Sequence, residues 1–390
     1  MKKIGVLLTA RPEGGAFQYT QAILEAALEL PHDRYSIVLA YGDPSWLDVV
    51  RGRARAFPLN DSLWSRILNR IWHETGLSVS AWRKFAAPFD ASMRALVAER
   101  CDLWICPNHD RYAFRAEIPA LGTVHDLMHR YEPSYSEVSE NGEYAAREFH
   151  FSETCRWSKG VLVDSRVGKE QVEASYGVPP EKVFVLPYIA PGYIYDYDAA
   201  ADAALAQRYS LPAKYFFYPA QFYTHKNHRA LIAALARMRE SHPDVRLVLV
   251  GLKERNGFPI IQQLVEESGL GDNVLFLGYV PNTDMPGLYR RARALVMPTF
   301  FGPTNIPQLE AFALGCPVAT SRIYGIPEQV GDAALLFDPH SVDEIYECMV
   351  RLWTDDQLCA TLAERGRQHA REWGRPQFRD RLLEVVEALT

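Results

Sequence analysis

The residues best equipped for chemistry sit where predicted strands give way to predicted helices. Lys226 lies in the loop Gln221-Phe222-Tyr223-Thr224-His225-Lys226-Asn227-His228. An apolar run, Tyr215 to Pro219, precedes this loop, and helical spacing from His228 to about His242 follows it. A lysine so placed can neutralise a phosphate as a point charge. Further on, Ala294 to Met297 reads as a buried strand, and Gly302-Pro303 breaks the loop Phe300 to Asn305. A helix is predicted over Ile306 to Leu314, with Pro307 in its first turn and Gly315 ending it. Its free N–H groups around Asn305 and Ile306 form an anion site in waiting, with Glu310 just behind. His125-Asp126 follows the apolar run Leu121 to Val124 at once, at a strand's carboxyl end, where α/β proteins place ligands. Asp126 can equally cap a helix. Gly14-Gly15, after the strand Ile4 to Leu8, can bring backbone N–H groups close to a diphosphate or an acceptor, or can be a plain strand-to-helix loop. His109 and His129 read as surface or loop residues.

The elements that must position these groups alternate strand and helix along the chain. The helix after the glycines is predicted over Tyr19 to Leu30, with Ile23, Ala26, Ala27 and Leu30 on one face. Further strands are predicted at Ser36 to Ala40, Leu103 to Cys106, Val161 to Val163 and Val183 to Leu186. The helix Ser165 to Tyr176 has an N-cap serine. In the second half, Arg246 to Val250, Val274 to Leu277, Val318 to Ser321 and Ala334 to Phe337 read as strands. Helices are predicted at Met285 to Arg293, about Ser341 to Trp353 and Asp356 to Trp373; Pro376 breaks the chain before a final helix. Such alternation in both halves predicts two parallel-sheet domains. Pro187 to Asp202, rich in Pro, Gly and Tyr, is the expected linker.

Composition excludes several classes. A chain of 390 residues is long enough for two cores, and 48% apolar with 23% charged residues is ordinary for a soluble globular protein. The net charge of −6 gives no sign of nucleic-acid binding. No apolar run approaches the roughly 20 residues that span a bilayer, and Arg11 and Glu13 cut short the apolar start, so a first strand is expected rather than a signal peptide. None of Cys101, Cys106, Cys155, Cys316, Cys348 and Cys359 forms a C-x-x-C pair, which favours buried reduced thiols in a cytoplasmic protein. Between Arg51 and Arg100 the local charge turns positive. There Trp64, Ile67, Leu68, Ile71 and Trp72 sit at helical spacing among Arg66 and Arg70. Such a helix can lie on an anionic membrane or pack its apolar face on the sheet. Asp196-Tyr197-Asp198 could hold a divalent metal, but it lies in a tyrosine-rich linker rather than after a buried strand, and no metal site is expected.

Ile306-Pro307-x-Leu309-Glu310-Ala311-x-Ala313-x-Gly315-x-Pro317-Val318 resembles the signature of the retaining GT-B glycosyltransferases of the GT4 family (glycosyltransferase group 1). Lys226-Asn227, the segment Gly278-Tyr279-Val280-Pro281 and Thr123-Val124-His125-Asp126-Leu127 fit the same family. The resemblance implies an α/β protein of GT-B fold, two doubly wound Rossmann-like domains facing across a cleft. It assigns 1–190 to an acceptor-side domain, 191–203 to the linker and 204–375 to a nucleotide-sugar domain, with helix 376–390 packing back on the first. It implies a retaining hexosyltransferase with His125, Lys226 and Glu310 as catalytic residues. His125 would contact the donor sugar, Lys226 the leaving diphosphate and Glu310 the ribose hydroxyls. Gly14, Gly15, Gln221, Val280, Thr304, Asn305 and Ile306 would bind the donor. No cofactor or metal is implied beyond the nucleotide sugar, and GDP-mannose or a 6-deoxy sugar on GDP or dTDP is the first expectation. The acceptor would be a glycan or lipid-linked hydroxyl in cell-surface polysaccharide synthesis, reached in the cytoplasm, with peripheral membrane contact through 51–100. Two departures stand out: Gly302 replaces the family's first glutamate, and Gln221 replaces an arginine. They leave room for a non-catalytic nucleotide-sugar-binding subunit. A nucleotide-sugar epimerase would need a carboxylate set that the sequence does not show.

Overall fold

The computed structural model describes residues 1–12, 14–60, 65, 67, 72, 78–196, 202–253 and 257–390. Two compact units emerge. The first comprises Met1–His129, Gly142–Pro187 and Arg375–Thr390; the second comprises Arg130–Asn141 and Tyr188–Gly374.

In the first unit the strands are β1 (Lys2–Leu8), β2 (Tyr35–Tyr41), β3 (Arg55–Pro58), β4 (Leu103–Ile105), β5 (Ala120–Thr123), β6 (Gly160–Val163) and β7 (Val183–Val185). They form one sheet in the order β3-β2-β1-β4-β5-β6-β7, and every pairing is parallel. The second unit has β8 (Phe216–Pro219), β9 (Leu247–Val250), β10 (Val274–Gly278), β11 (Ala294–Met297), β12 (Val318–Ser321) and β13 (Ala334–Phe337). Their order is β10-β9-β8-β11-β12-β13, again parallel throughout. The central strands are apolar on both faces because helices cover both: Ile4 to Leu8 is wholly buried, and so is Ala294 to Met297. In each sheet the strand order reverses between the first and fourth strands of the unit. That switch point opens a crevice beyond the strands' carboxyl ends, where open α/β sheets bind ligands. The doubly wound α/β class expected from the sequence is therefore present in both halves.

Several local expectations shift. The first helix runs Gly14–Leu28, so the glycines begin the helix instead of lying within a longer loop. The last helix runs Arg375–Leu389 and includes Pro376 in its first turn, where a missing N–H leaves no bond unmade. This helix packs within the first unit: Phe378 meets Tyr19 edge-on at 6.3 Å, and Arg381 Nε donates to the Val185 carbonyl at 3.2 Å. The helices Glu143–Trp157 and Gly257–Glu267 and the strand β3 were not expected. Residues Arg130–Asn141, assigned by sequence to the first domain, group with the second. Their side chains explain this: Tyr135 stacks on Phe300, Tyr324 donates to Glu132, and Glu137 bonds His225.

Of the basic stretch, Trp64, Arg66, Leu68, Arg70 and Ile71 lie outside the described residues. Trp72 is buried, with its ring 5.3 Å from Trp82 and the Arg115 guanidinium 3.7 Å above it. Trp72 thus belongs to the core and is not presented to a membrane. Among the described residues, no helix is long and apolar enough to cross a bilayer. The six cysteines are buried free thiols. Tyr197 and Asp198 of the Asp-x-Asp sequence lie outside the described residues.

Candidate functional site

At the switch point of the second unit, the loop after β8 meets the loop after β11. The first loop makes a single 3-10 turn, Thr224–Lys226, and then Asn227 in a left-handed conformation (φ 55°). Asn227 caps the helix His228–Ser241 through the Ala230 N–H and also donates to the Pro339 carbonyl at 2.8 Å. The Tyr218 hydroxyl donates to the Lys226 carbonyl at 2.9 Å. With its backbone held on both sides, Lys226 extends Nζ to Asn305 Oδ1 at 3.3 Å. The second loop is tied to the first: the Phe300 N–H and the Thr299 hydroxyl both donate to the His225 carbonyl, at 2.8 and 3.2 Å.

The helix Ile306–Leu314 opens here, and Gly315, at φ 68°, closes its far end in the left-handed geometry. Leu309, Ala311 and Phe312 bury its inner face. Each fully buried large side chain contributes about 1.5–3 kcal/mol. Asn305 is the N-cap residue, but its side chain makes no cap bond. Instead its main chain is clamped by Gln329, whose Oε1 accepts from the Asn305 N–H at 2.9 Å and whose Nε2 donates to the Asn305 carbonyl at 2.7 Å. The Asn305 N–H is therefore not available to an anion, which corrects the expectation for that group. What Asn305 offers is its side chain. Oδ1 receives Lys226, while Nδ2 is a buried donor that no described group accepts from. Thr304 is buried beside it.

Glu310 occupies a different setting from the one expected. It is 5% exposed, with Oε1 accepting from the Tyr193 hydroxyl and Oε2 from the Tyr289 hydroxyl at 2.5 Å. Burial raises its pKa, and the two phenol hydrogen bonds oppose the rise. Two of a carboxylate's roughly four acceptor positions are thus filled by protein. Gln221 also departs from its expected role: its Oε1 accepts from the Leu252 N–H at 3.2 Å, which braces a neighbouring loop. Val280 buries its side chain in the core, so only its main chain can face a ligand.

Gly302 adopts φ +129°, a conformation that side chains rarely take. A Cβ there would lie 2.5 Å from Asn305 Nδ2. The glycine is what allows the Asn305 amide to sit where it does.

Sequence reasoning missed His225 and Glu137. The carboxylate accepts from the His225 main-chain N–H and meets its Nδ1, each at 3.3 Å. Burial alone would raise the Glu137 pKa, but the bonds to His225 bring it down to about 2. His225 directly precedes Lys226, a signal that was in plain view. Glu137, 88 residues away in sequence, gave none.

In the first unit, Gly14 and Gly15 lie at the N-terminus of their helix, with Gly14 at φ 75°. His125 packs against the edge of Tyr19 at 5.3 Å and against His109 at 5.2 Å. Burial pushes its pKa down to about 4, opposed by Asp126 and by a hydrogen bond to the Pro107 carbonyl, so the imidazole is neutral near pH 7. Asp126 is a structural group: its Oδ1 accepts from the Met128 N–H at 2.9 Å and from Arg147. His129, expected at the surface, is fully buried and bonds Glu148 at 3.0 Å.

Residues 180–369, just under half of the chain, match the family model described as "Glycosyl transferases group 1". O-antigen chain mannosyltransferase B of Escherichia coli is 28% identical over 256 residues, 65% of this chain and 66% of that protein. Mannosylfructose-phosphate synthase of Agrobacterium fabrum is 27% identical over 300 residues, 70% of this chain and 64% of its own length. The chain thus spans a little under two thirds of these curated relatives. The crystal structure of Anabaena HepE in complex with UDP and glucose superposes with a TM-score of 0.73 at 17% identity, over 100% of both chains. The two parallel-sheet units carry the GT-B glycosyltransferase fold, and the match to the glycosyl transferases group 1 model spans the residues that hold Lys226, Asn305 and Glu310.

Proposed function

We propose that this protein moves a hexosyl group from a nucleoside diphospho-sugar to an acceptor hydroxyl, with retention at the anomeric carbon. In that reaction the bond from the anomeric carbon to the diphosphate oxygen breaks, a bond to the acceptor oxygen forms, and the acceptor's proton is released. The protein must stabilise the negative charge on the departing diphosphate. The observation that carries the reading is the meeting of Lys226 Nζ with Asn305 at the N-terminus of the helix Ile306–Leu314. A fixed cation, a buried amide donor and a helix N-terminus converge on one place, which is an arrangement made for phosphate. His225, paired with Glu137, stands next to Lys226 and holds the loop that carries it. Glu310, with acceptor positions remaining beside its two tyrosines, serves the ribose. Thr304 and the main chain at Ile306 line the sugar side, and the main chain of Val280 completes the donor contacts within the second unit. In the first unit the Gly14-Gly15 helix start and the neutral His125 imidazole are the groups offered to a ligand, His125 to a sugar hydroxyl. No metal is assigned a role in neutralising the diphosphate.

A hexose donor, GDP-mannose first, fits the names of the two relatives, both of which handle mannose. Those names also suggest two acceptor classes: the O-antigen chain of the Escherichia coli protein is a glycan, whereas the Agrobacterium product carries a phosphate. The test is a thermal-shift series with GDP, UDP and dTDP, followed by sugar release from the matching donor. A nucleotide present at 100 times its Kd should stabilise the fold by about 2.7 kcal/mol. No shift with any of the three would overturn the proposal. Gly302 favours a second reading, a subunit that binds nucleotide sugar without turning it over. Nucleotide binding without transfer or hydrolysis by the purified chain would select that reading.

A further inference from the structure

The switch point of the first unit holds a cavity of about 660 Å³. Thr9 contributes to it from the end of β1, Gly42 from beyond β2, Asn60 from beyond β3, and Asn108, Asp110 and Arg111 from the loop after β4. Four neighbouring strands thus deliver residues to one place at their carboxyl ends, the position where open parallel sheets bind ligands. At its base lies Asp110, only 4% exposed. The Thr9 hydroxyl donates to Asp110 Oδ1 across the β1–β4 gap. Oδ2 is buried and receives no hydrogen bond from any described group. Burial raises the Asp110 pKa to about 6, opposed by Thr9, the Asn108 main chain and Arg111, so the group is mostly ionised at neutral pH. A buried carboxylate oxygen without a donor is costly, and a ligand hydroxyl would remove that cost.

The surroundings select the ligand's charge. Arg111 offsets the Asp110 charge. The cavity is therefore close to neutral overall, with its one deep polar group an acceptor. A phosphate presents only further acceptors and negative charge to Oδ2. An ammonium would meet Arg111. The Asn60 and Asn108 side chains offer both donors and acceptors, as a row of hydroxyls requires.

We infer that this cavity binds an uncharged, hydroxyl-rich sugar, with Asp110 Oδ2 accepting a hydrogen bond from one of its hydroxyls. Resting on the sugar-transfer reading above, this makes the acceptor a neutral glycan end and excludes a sugar phosphate.

The experiment is ligand-observed saturation-transfer NMR on the whole chain. The probes are the methyl α- and β-pyranosides of mannose, glucose, galactose, rhamnose and fucose, with mannose 6-phosphate and glucose 6-phosphate. At least one neutral glycoside should bind wild type, and the phosphates at least tenfold more weakly. Asp110→Asn turns the acceptor into a donor and should weaken glycoside binding at least tenfold. Should that variant misfold, Asn60→Ala carries the same expectation. No binding by any neutral glycoside, equal or tighter binding of a phosphate, or unchanged binding in the folded variants would overturn the inference. GDP and UDP melting shifts are measured on wild type in parallel. Nucleotide binding without glycoside binding breaks this inference alone, and glycoside binding without nucleotide binding breaks the transfer reading alone.

Discussion

The same crevice occurs twice in this chain, and it is furnished in opposite ways. In the second unit the polar groups at the switch point are already engaged with one another: Lys226 with Asn305, Asn305 with Gln329, Glu310 with Tyr193 and Tyr289. In the first unit the switch point is an open cavity with a half-satisfied carboxylate and the neutral His125 imidazole nearby. On the proposed reading, the difference follows from what each has to hold. A diphosphate carries concentrated charge, so a site for it needs donors fixed in advance, because reorienting them at the moment of reaction costs rate. A neutral sugar is held by many weak, directional bonds, and a site for it needs room and mixed donors and acceptors.

Breaking the charged side of this comparison should have the largest effect. Lys226→Ala is expected to lower kcat/KM for the sugar donor by about 10²–10³, with the melting temperature unchanged within a degree or two. The lysine lies in a half-buried loop. Activity within a few-fold of wild type would remove Lys226 from the site.

Gly302→Glu comes next. The new side chain must adopt φ +129° and pass within 2.5 Å of the Asn305 amide. Strain of this type costs about 1–3 kcal/mol, and displacing Asn305 releases Lys226. We expect kcat/KM for the native donor to fall roughly tenfold or more, together with a lower melting temperature. A gain in kcat/KM would show that the glycine is a degenerate position and would favour the non-catalytic reading.

A third change acts on the packing that immobilises Glu310. Tyr289→Phe removes one donor and leaves a buried carboxylate oxygen short of a partner. Chemical denaturation should report a loss of about 1–3 kcal/mol, and nucleotide affinity should fall less than in Lys226→Ala. An unchanged midpoint would mean that the Tyr289–Glu310 bond is absent in solution.

Asp110 sharpens the comparison from the neutral side. Its pKa is raised from 3.8 to about 6, so the folded state holds the proton more tightly than the unfolded chain does. The associated stability is full below about pH 4 and is lost as pH rises through 6. Wild type should therefore lose stability relative to Asp110→Asn over that window, by on the order of 1–3 kcal/mol, as read from paired denaturation curves at pH 4, 5, 6 and 7. A constant difference would place Asp110 in water rather than in a buried cavity.

The smallest expected effect is none at all. If protein charges take up the diphosphate, turnover should survive EDTA; loss of activity restored by manganese or magnesium would return Asp196 and its neighbours to consideration.

What could be read from the sequence was whatever is local. Strand, loop and helix follow one another within 22 residues from Met297 to Val318, so the helix start, its proline, its glycine stop and Glu310 were all legible from propensity and spacing. Lys226 was legible for the same reason. The parallel α/β class followed from apolar runs too continuous for a sheet with one wet face. The helix Glu143–Trp157 was hidden because its sequence carries no apolar stripe: only Phe151, Thr154 and Cys155 are buried. Tertiary structure alone decided how side chains distant in sequence pair. It joined Tyr193 to Glu310 across 117 residues, Glu137 to His225 across 88, and Thr9 to Asp110 across 101. It also turned Asn305 away from capping its own helix and toward Lys226. A hydrogen bond between residues that far apart leaves no periodic trace in the chain, because its geometry is set by strand order, and strand order is fixed only when the whole sheet has formed.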